Sequence, residues 1–491
     1  MKLIKILFTA GLSCAWAACF ANQMQCTDNV LQQIYPNQNA CTLQASIPEK
    51  LQNLPYAIYP TQLSEYNTER FNFNKRFNVF PKAIIAPESK ETLAKILNIL
   101  ASEQLNFSIR SGGHSFEPGS LSPDYIIDLR RFNTIKLLED SVYIGAGARL
   151  GPIIEALGKE DRAIPTGTCQ SVGIAGLTLG GGLGFLSRTF GLTSDALKSI
   201  TFLTANNEII EVDEDHHPDL FWALRGGGNG SYGIALGFTF KTIHIPSVSF
   251  FELKWEWDPK LMPKIFTAWQ KWIAQLPDNI NPSLELRYSN KKAFILLTGL
   301  KVGNEPFTEW EQPFKELNPA VNIHTGRYVD LASFWADSPT HPFAKVKSVM
   351  AFKPISDDVL QKAIDYFEQL RMNQASFLIS LEFVALGGKL SQGKTAFFPR
   401  KTTQWWHQVA NWDQQDQEAI ALDSLRQFYH SVAPLISDYS YSNDEDYDLG
   451  DHYLKTYYGD NVERLIQIKN KYDPRNIFHW KQSIPLVLSP L

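Results

Sequence analysis

Ile109-Arg110-Ser111-Gly112-Gly113-His114-Ser115 is the stretch from which the fold is read. Phe107 to Arg110 has the texture of a short strand, and the paired glycines behind it end that strand in a turn. Glycine admits φ > 0 and lets backbone N–H groups close on an anion without a Cβ in the way. Arg110 enters this turn and His114 leaves it, so an imidazole stands beside whatever the backbone grips. Read alone, the stretch fits a ligand cradle and a glycine-rich turn with an incidental surface histidine about equally.

A second stretch tips the balance. Pro165-Thr-Gly-Thr-Cys169-Gln-Ser-Val172-Gly173-Ile-Ala-Gly176-Leu-Thr-Leu-Gly180-Gly-Gly-Leu-Gly184 is too rich in glycine for plain helix or strand. Such density points to a backbone that approaches a large ligand closely, and its amides suit phosphate. The order is not that of a dinucleotide fingerprint, because no strand–turn–helix unit with a later ribose-binding acid is evident. A lone cysteine, Cys169, opens the stretch, and its plain reading is a small buried hydrophobe.

Together, Arg110-Ser-Gly-Gly-His114 and Gly167-Thr-Cys169-x-x-Val172-Gly173 resemble the berberine-bridge-enzyme-like flavoproteins of the vanillyl-alcohol oxidase / p-cresol methylhydroxylase superfamily, which include oligosaccharide oxidases. The resemblance continues through Leu224-Arg225-Gly-Gly-Gly-Asn-Gly-Ser-Tyr232-Gly233. It ends in Tyr457-Tyr458-Gly459-Asp460-Asn461…Asp473-Pro474-x-Asn476-x-Phe478…Gln482-Ser483-Ile484. It implies an α+β fold: a two-part PCMH-type FAD-binding domain beside an antiparallel-sheet substrate domain covered by helices. It also implies a doubly tethered FAD, with His114 on the flavin 8α carbon and Cys169 on C6. Arg110, Ser111, Gly112, Gly113, Ser115, Val172, Gly173, Gly176, Gly180 and Asn476 complete the expected cofactor set. Val172 matches the small residue that goes with oxygen access, which implies an oxidase releasing hydrogen peroxide. Phe116 stands where sugar- and alcohol-oxidising relatives often carry a tyrosine, so the polarity facing the substrate differs here.

Residues 1–21 open with two lysines, follow with a short apolar run and end in small residues, the pattern of a secretory signal peptide. Lipidation at Cys19 is the alternative, but Trp16 fits that pattern poorly. Without this leader three cysteines remain, and in an oxidising compartment Cys26–Cys41 is the natural pair. Cys169 is then the odd thiol, the one the resemblance assigns to flavin. The expected location is secreted or periplasmic. A net charge of -5 with 20% charged residues leaves no basic footprint for nucleic acid. The apolar run is too short and broken for a comfortable membrane span, so no membrane partner is expected.

Further along, Ser89 caps a helix from Lys90 to about Leu105, buried through Leu93, Ile96, Leu97 and Leu100. Arg149 to Lys159 reads as a second helix and Leu197 to Val212 as a strand pair. After about residue 245 the texture changes. Phe251, Leu253, Trp255 and Trp257 alternate with Glu252, Lys254 and Glu256, an antiparallel strand with one wet face. An amphipathic helix with Ile265, Phe266, Trp269, Ile273 and Leu276 on one side and a helix from Asp357 to about Arg371 accompany strands at Leu284–Tyr288, Phe294–Leu300 and Phe377–Val384. The expected division is 22–245 for FAD binding, 246–435 for substrate, and 436–491 returning to the FAD domain, the return being implied by the resemblance alone.

Three residues are candidates for catalysis. Tyr441-Ser-Asn443 resembles the family's Tyr-x-Asn motif, whose tyrosine is the base of sugar oxidases; its plain reading is a core tyrosine with a satisfied hydroxyl. Trp405 to Trp412 resembles the strand bearing the variable active-site side chains, and alternation puts Trp405 and His407 on one face. An imidazole there suits proton transfer, and it reads equally as a structural histidine. Glu382 is a helper carboxylate on the preceding strand. The implied substrate is a small hydroxylated molecule, a carbohydrate or an aromatic alcohol or amine, with molecular oxygen as second partner. A non-catalytic binder on the same fold is the reading from another class, and the paired His114 and Cys169 speak against it.

Overall fold

The computed structural model describes residues 46–335 and 342–488. The expected leader and both members of the Cys26–Cys41 pair lie outside the described residues. Within them the chain is mixed α and β, with antiparallel sheets prominent.

One four-stranded sheet runs in the order Ala57–Ile58, Ala83–Ile85, Tyr125–Asp128, Phe107–Arg110, the last three parallel. Ala83–Ile85 and Tyr125–Asp128 are buried at every position, as parallel strands covered on both faces require. The Ser89 side chain accepts the Thr92 N–H and starts helix Lys90–Ser102. That helix stops short of Leu105 because Gln104 takes left-handed backbone, φ 53°. The edge strand Phe107–Arg110 delivers the His114 turn.

A five-stranded antiparallel sheet follows: Ile135–Leu137, Ser141–Gly145, Gly233–Lys241, Leu197–Thr204, Ile209–Val212. The C-terminal helices Tyr453–Tyr458 and Val462–Tyr472 place Tyr457, Tyr458, Leu465 and Ile468 in the same core as Ile127, Ile144 and Phe238. Lys469, wholly buried, fastens that return by donating to Ser231 O, Asp473 Oδ2 and Phe478 O.

The third sheet has seven antiparallel strands in the order Ala320–Gly326, Val248–Glu256, Lys292–Val302, Ile280–Ser289, Leu378–Ala385, Gln404–Trp412, Phe343–Ala351. Helices Met262–Ile273, Asp357–Met372 and Glu418–Val432 cover one face, where Leu253, Leu286, Phe383 and Trp406 meet Trp269, Phe367 and Leu425. The pleat sends Glu285, Arg287, Glu382, Trp405 and His407 to the other face. Among the described residues no helix is long and apolar enough to cross a membrane.

Buried charge joins these parts. Lys345 and Lys347, on the edge strand and each 1% exposed, are ringed by carboxylates. Lys345 pairs with Glu117, three residues past His114, and with Asp446 at 2.6 Å. Lys347 reaches Asp446 and Asp448, both at 2.7 Å. Asn74, fully buried, donates to Phe116 O and Ala344 O and accepts the Ala344 N–H. The His114 turn, the 441–448 loop and the edge of the third sheet are thus tied at one place.

Candidate active site

The two glycine-rich stretches meet backbone to backbone. A Cβ on Gly112 would lie 2.3 Å from Gly173 N, and one on Gly173 2.4 Å from Gly112 N, so only glycine allows this approach. Gly113 takes φ +66°, which turns the chain towards His114. Ser111 Oγ donates to Ala146 O at 2.6 Å, and Leu150 N–H donates to Val172 O. Cys169 is half-buried in the same stretch, its Sγ 4.0 Å from Thr168 Oγ1. The His114 ring stacks on Phe73, centroids 3.9 Å apart and planes 16° apart.

Around this junction lies a groove of about 590 Å³, lined among others by Arg110, Gly112, His114, Arg130 and Arg149. Arg110 is 3% exposed; its Nε donates to Asp128 at 2.7 Å. Its two terminal nitrogens are buried with no hydrogen-bond partner among the described residues. Burial pushes the Asp128 carboxyl up, but hydrogen bonds from Arg130 and the charges of Arg110 and Arg130 outweigh it and hold the group below the usual range. With its charge paired to Asp128, the guanidinium has two buried donors left to offer an acceptor such as phosphate. An added Cβ at Gly176 would meet no heavy atom within 4 Å, so this short helical turn also leaves room beside it. Orphan cationic donors, a glycine cradle and open space are what an FAD diphosphate and ring require, so the residues present fit that cofactor. Gly180 serves another purpose: a Cβ there would lie 2.0 Å from Asn443 Oδ1. Asn476 is half-buried in a turn closed by Asp473, with φ 52°, and is not part of the groove lining.

The polar face of the third sheet supplies the remaining groups. Register aligns Ser348, His407, Glu382 and Glu285 in one row across four strands. Trp405 and His407 share that face, rings 4.7 Å apart, and Trp405 stands edge-on to Tyr441 at 5.4 Å. Burial lowers the His407 imidazole to about 4. Burial first, then the neighbouring Glu285, pushes Glu382 up to about 8. Glu285 is held by Arg287, bidentate at 2.7 and 2.8 Å, and by Ser380 Oγ at 2.7 Å.

Tyr441 is brought to the same place, but its hydroxyl oxygen turns to the glycine stretch. It accepts from Gly182 N at 3.1 Å, Leu183 N at 3.3 Å and Asn443 Nδ2 at 2.8 Å. Burial is the largest influence on this phenol and raises it far above its ordinary value, with the three donors pulling the other way. Sequence reasoning missed Asp444, which accepts the Trp405 indole N–H at 3.0 Å and lies 3.6 Å from His407 Nε2. It also missed Glu445, which accepts from Ser115 Oγ and is raised to about 7 by burial. Glu285 and Arg287 were legible through strand alternation; nothing local marks Asp444.

Comparison with known proteins gives the family and the fold. Residues 81–213 match the family described as FAD binding domain, and residues 440–485 the family described as berberine and berberine like. An FAD-linked oxidoreductase of Bacillus subtilis, YgaK, is 31% identical over 435 residues, covering 86% of this chain and 95% of that protein. The solved BBE-like 1 of Physcomitrella patens superposes with a TM-score of 0.80 at 26% identity, covering 88% of this chain and 97% of its own. The xylooligosaccharide oxidase of Myceliophthora thermophila, solved with xylobiose, gives 0.77 at 26% identity over 86% of this chain and 95% of its own.

Proposed function

The chain belongs to the berberine-bridge-enzyme-like family of FAD-linked oxidoreductases, and we propose that it is an exported oxidase holding FAD through both His114 and Cys169. It removes hydride from a hydroxylated substrate, a carbohydrate or another alcohol, and passes the electrons to O2 to give H2O2. The observation that carries this reading is the Gly112–Gly173 contact, which joins the loops bearing His114 and Cys169 beside a groove with two orphan arginine donors.

Bound FAD supplies a two-electron acceptor for hydride. Arg110 and the backbone of the two glycine stretches would hold its anionic part, and Phe73 fixes the plane of the His114 ring. On the substrate side, Trp405 offers an aromatic face for stacking and Glu285 an anchored carboxylate. The His407, Tyr441 and Glu382 cluster provides the proton acceptor for the substrate hydroxyl. Phe116, near Phe73 at 6.2 Å, adds an apolar wall in place of a phenol. That wall favours aromatic alcohols or amines as a second reading.

The deciding experiment mixes the purified protein anaerobically with cello-, xylo- and chito-oligosaccharides and with benzyl alcohol, and then admits air. Bleaching of the flavin by a hydroxylated compound and recovery within seconds, with stoichiometric peroxide, is expected. Bleaching followed by reoxidation over minutes or longer would mark a dehydrogenase.

A further inference from the structure

Asp444 is the buried carboxylate that this site holds and that the reading above leaves without a task. It is 4% exposed and lies on the loop that carries Tyr441 and Asn443. Oδ2 accepts the Trp405 indole N–H at 3.0 Å, Oδ1 faces His407 Nε2 at 3.6 Å, and the Ser348 side chain also hydrogen-bonds the carboxyl. Trp405 and His407 share a strand face with their rings 4.7 Å apart, so the indole that anchors the carboxylate also flanks the imidazole. Nε2 is the ring nitrogen that faces Asp444, at a separation just beyond hydrogen-bond length, and Nδ1 is the other.

We propose that Asp444 is a positioning residue that holds His407 with Nε2–H towards its carboxylate, and that Nδ1 of His407 is the atom that takes the substrate's hydroxyl proton. This rests on the oxidase reading above. The substrate O–H bond would break with its proton going to Nδ1 while the C–O bond becomes C=O, and bound FAD would supply the two-electron acceptor for the hydrogen and electron pair of the C–H bond. The imidazolium so formed is stabilised by the Asp444 carboxylate, the logic of a base oriented by a buried acid.

Tyr441 is a weaker acceptor because its oxygen already receives three N–H donors and lies 4% exposed. Glu382, opposite His407 in register, is pushed up to about 8 and so carries its own proton near neutrality. Burial lowers His407 to about 4, so it meets substrate as an unprotonated imidazole, and raises Asp444 to about 7, so the carboxylate that orients it forms as pH rises through that value. The other charged and titratable groups facing the pair are Glu285 and Arg287, one strand beyond Glu382, and Tyr441 on the loop of Asp444.

Asp444→Asn keeps an oxygen for the Trp405 indole and removes the charge. In anaerobic stopped-flow with whichever oligosaccharide or benzyl alcohol bleaches the wild-type flavin, its reduction rate should fall at least tenfold. KM should change less than threefold, with FAD content and spectrum unchanged and the acid limb of the rate–pH profile moved. The double variant with His407→Gln should be no slower than His407→Gln alone, as for residues acting as one unit. Trp405→Phe, which frees Oδ2, should move the same limb and serves if the asparagine variant does not fold. Wild-type rates and an unshifted limb in Asp444→Asn, or in Trp405→Phe where that one stands in, would overturn the pairing while leaving the oxidase reading intact. A wild-type flavin that no hydroxylated compound reduces would sink that reading, and the pairing with it.

Discussion

At the scale of single residues, the site is a set of buried groups whose charge is decided by desolvation. Glu382 illustrates the sign. Its folded value of about 8 lies above the roughly 4.3 of an unfolded glutamate, so the folded state binds the extra proton. The resulting stability is complete below the unfolded value and is lost as pH rises towards 8. His407 works the other way: its value is lowered to about 4, so it adds stability above roughly 6.5 that is lost as pH falls. Between pH 6.5 and 8.5 the melting temperature should therefore fall, and Glu382→Gln should flatten that decline. An identical slope in the variant would remove Glu382 as the cause. Tyr441 gives a second expectation. Tyr441→Phe strands three N–H donors and should cost about 2 kcal/mol or more in urea unfolding. Turnover should drop less than about tenfold, whereas His407→Gln should drop it about 10²-fold. The reverse order would make Tyr441 the base, as the family resemblance alone implies. The tyrosine's environment was not legible in the sequence, because its three donors come from residues about 260 positions earlier and from its own loop.

At the scale of elements, the arrangement depends on two contacts between segments distant in sequence. The first is Gly112 against Gly173. Gly112→Ala drives a Cβ to 2.3 Å from a backbone nitrogen, so the loops must part and the purified variant should carry little bound flavin. The second is the ionic clasp of the edge strand Phe343–Ala351. Lys345→Met leaves Glu117 and Asp446 buried without one of their cations, which costs about 3–5 kcal/mol and should appear as a lower urea midpoint. The helices and most strands were readable, since Leu93, Ile96 and Leu97 or Phe251, Leu253 and Trp255 repeat with the period of their element. The strands Ala320–Gly326 and Phe343–Ala351 were not. The first is largely exposed, and the second buries two lysines whose partners lie in other segments.

For the whole molecule, the glycine stretches announced the cofactor half because backbone approach to a ligand demands a residue type that is rare elsewhere. The polar sheet face was half visible through alternation, and its opposite number, the 441–446 loop, acquires meaning only once the chain folds back. The proposal that unites both halves is a flavin held where the His114 and Cys169 loops touch. Acid precipitation of the purified protein, followed by tryptic mapping of the flavin absorbance, tests this most directly. Colour should stay in the pellet and map to one cross-linked product containing both the His114 and Cys169 peptides, and His114→Ala should retain it through Cys169 alone with a shifted spectrum. A colourless pellet beneath a yellow supernatant would contradict the account.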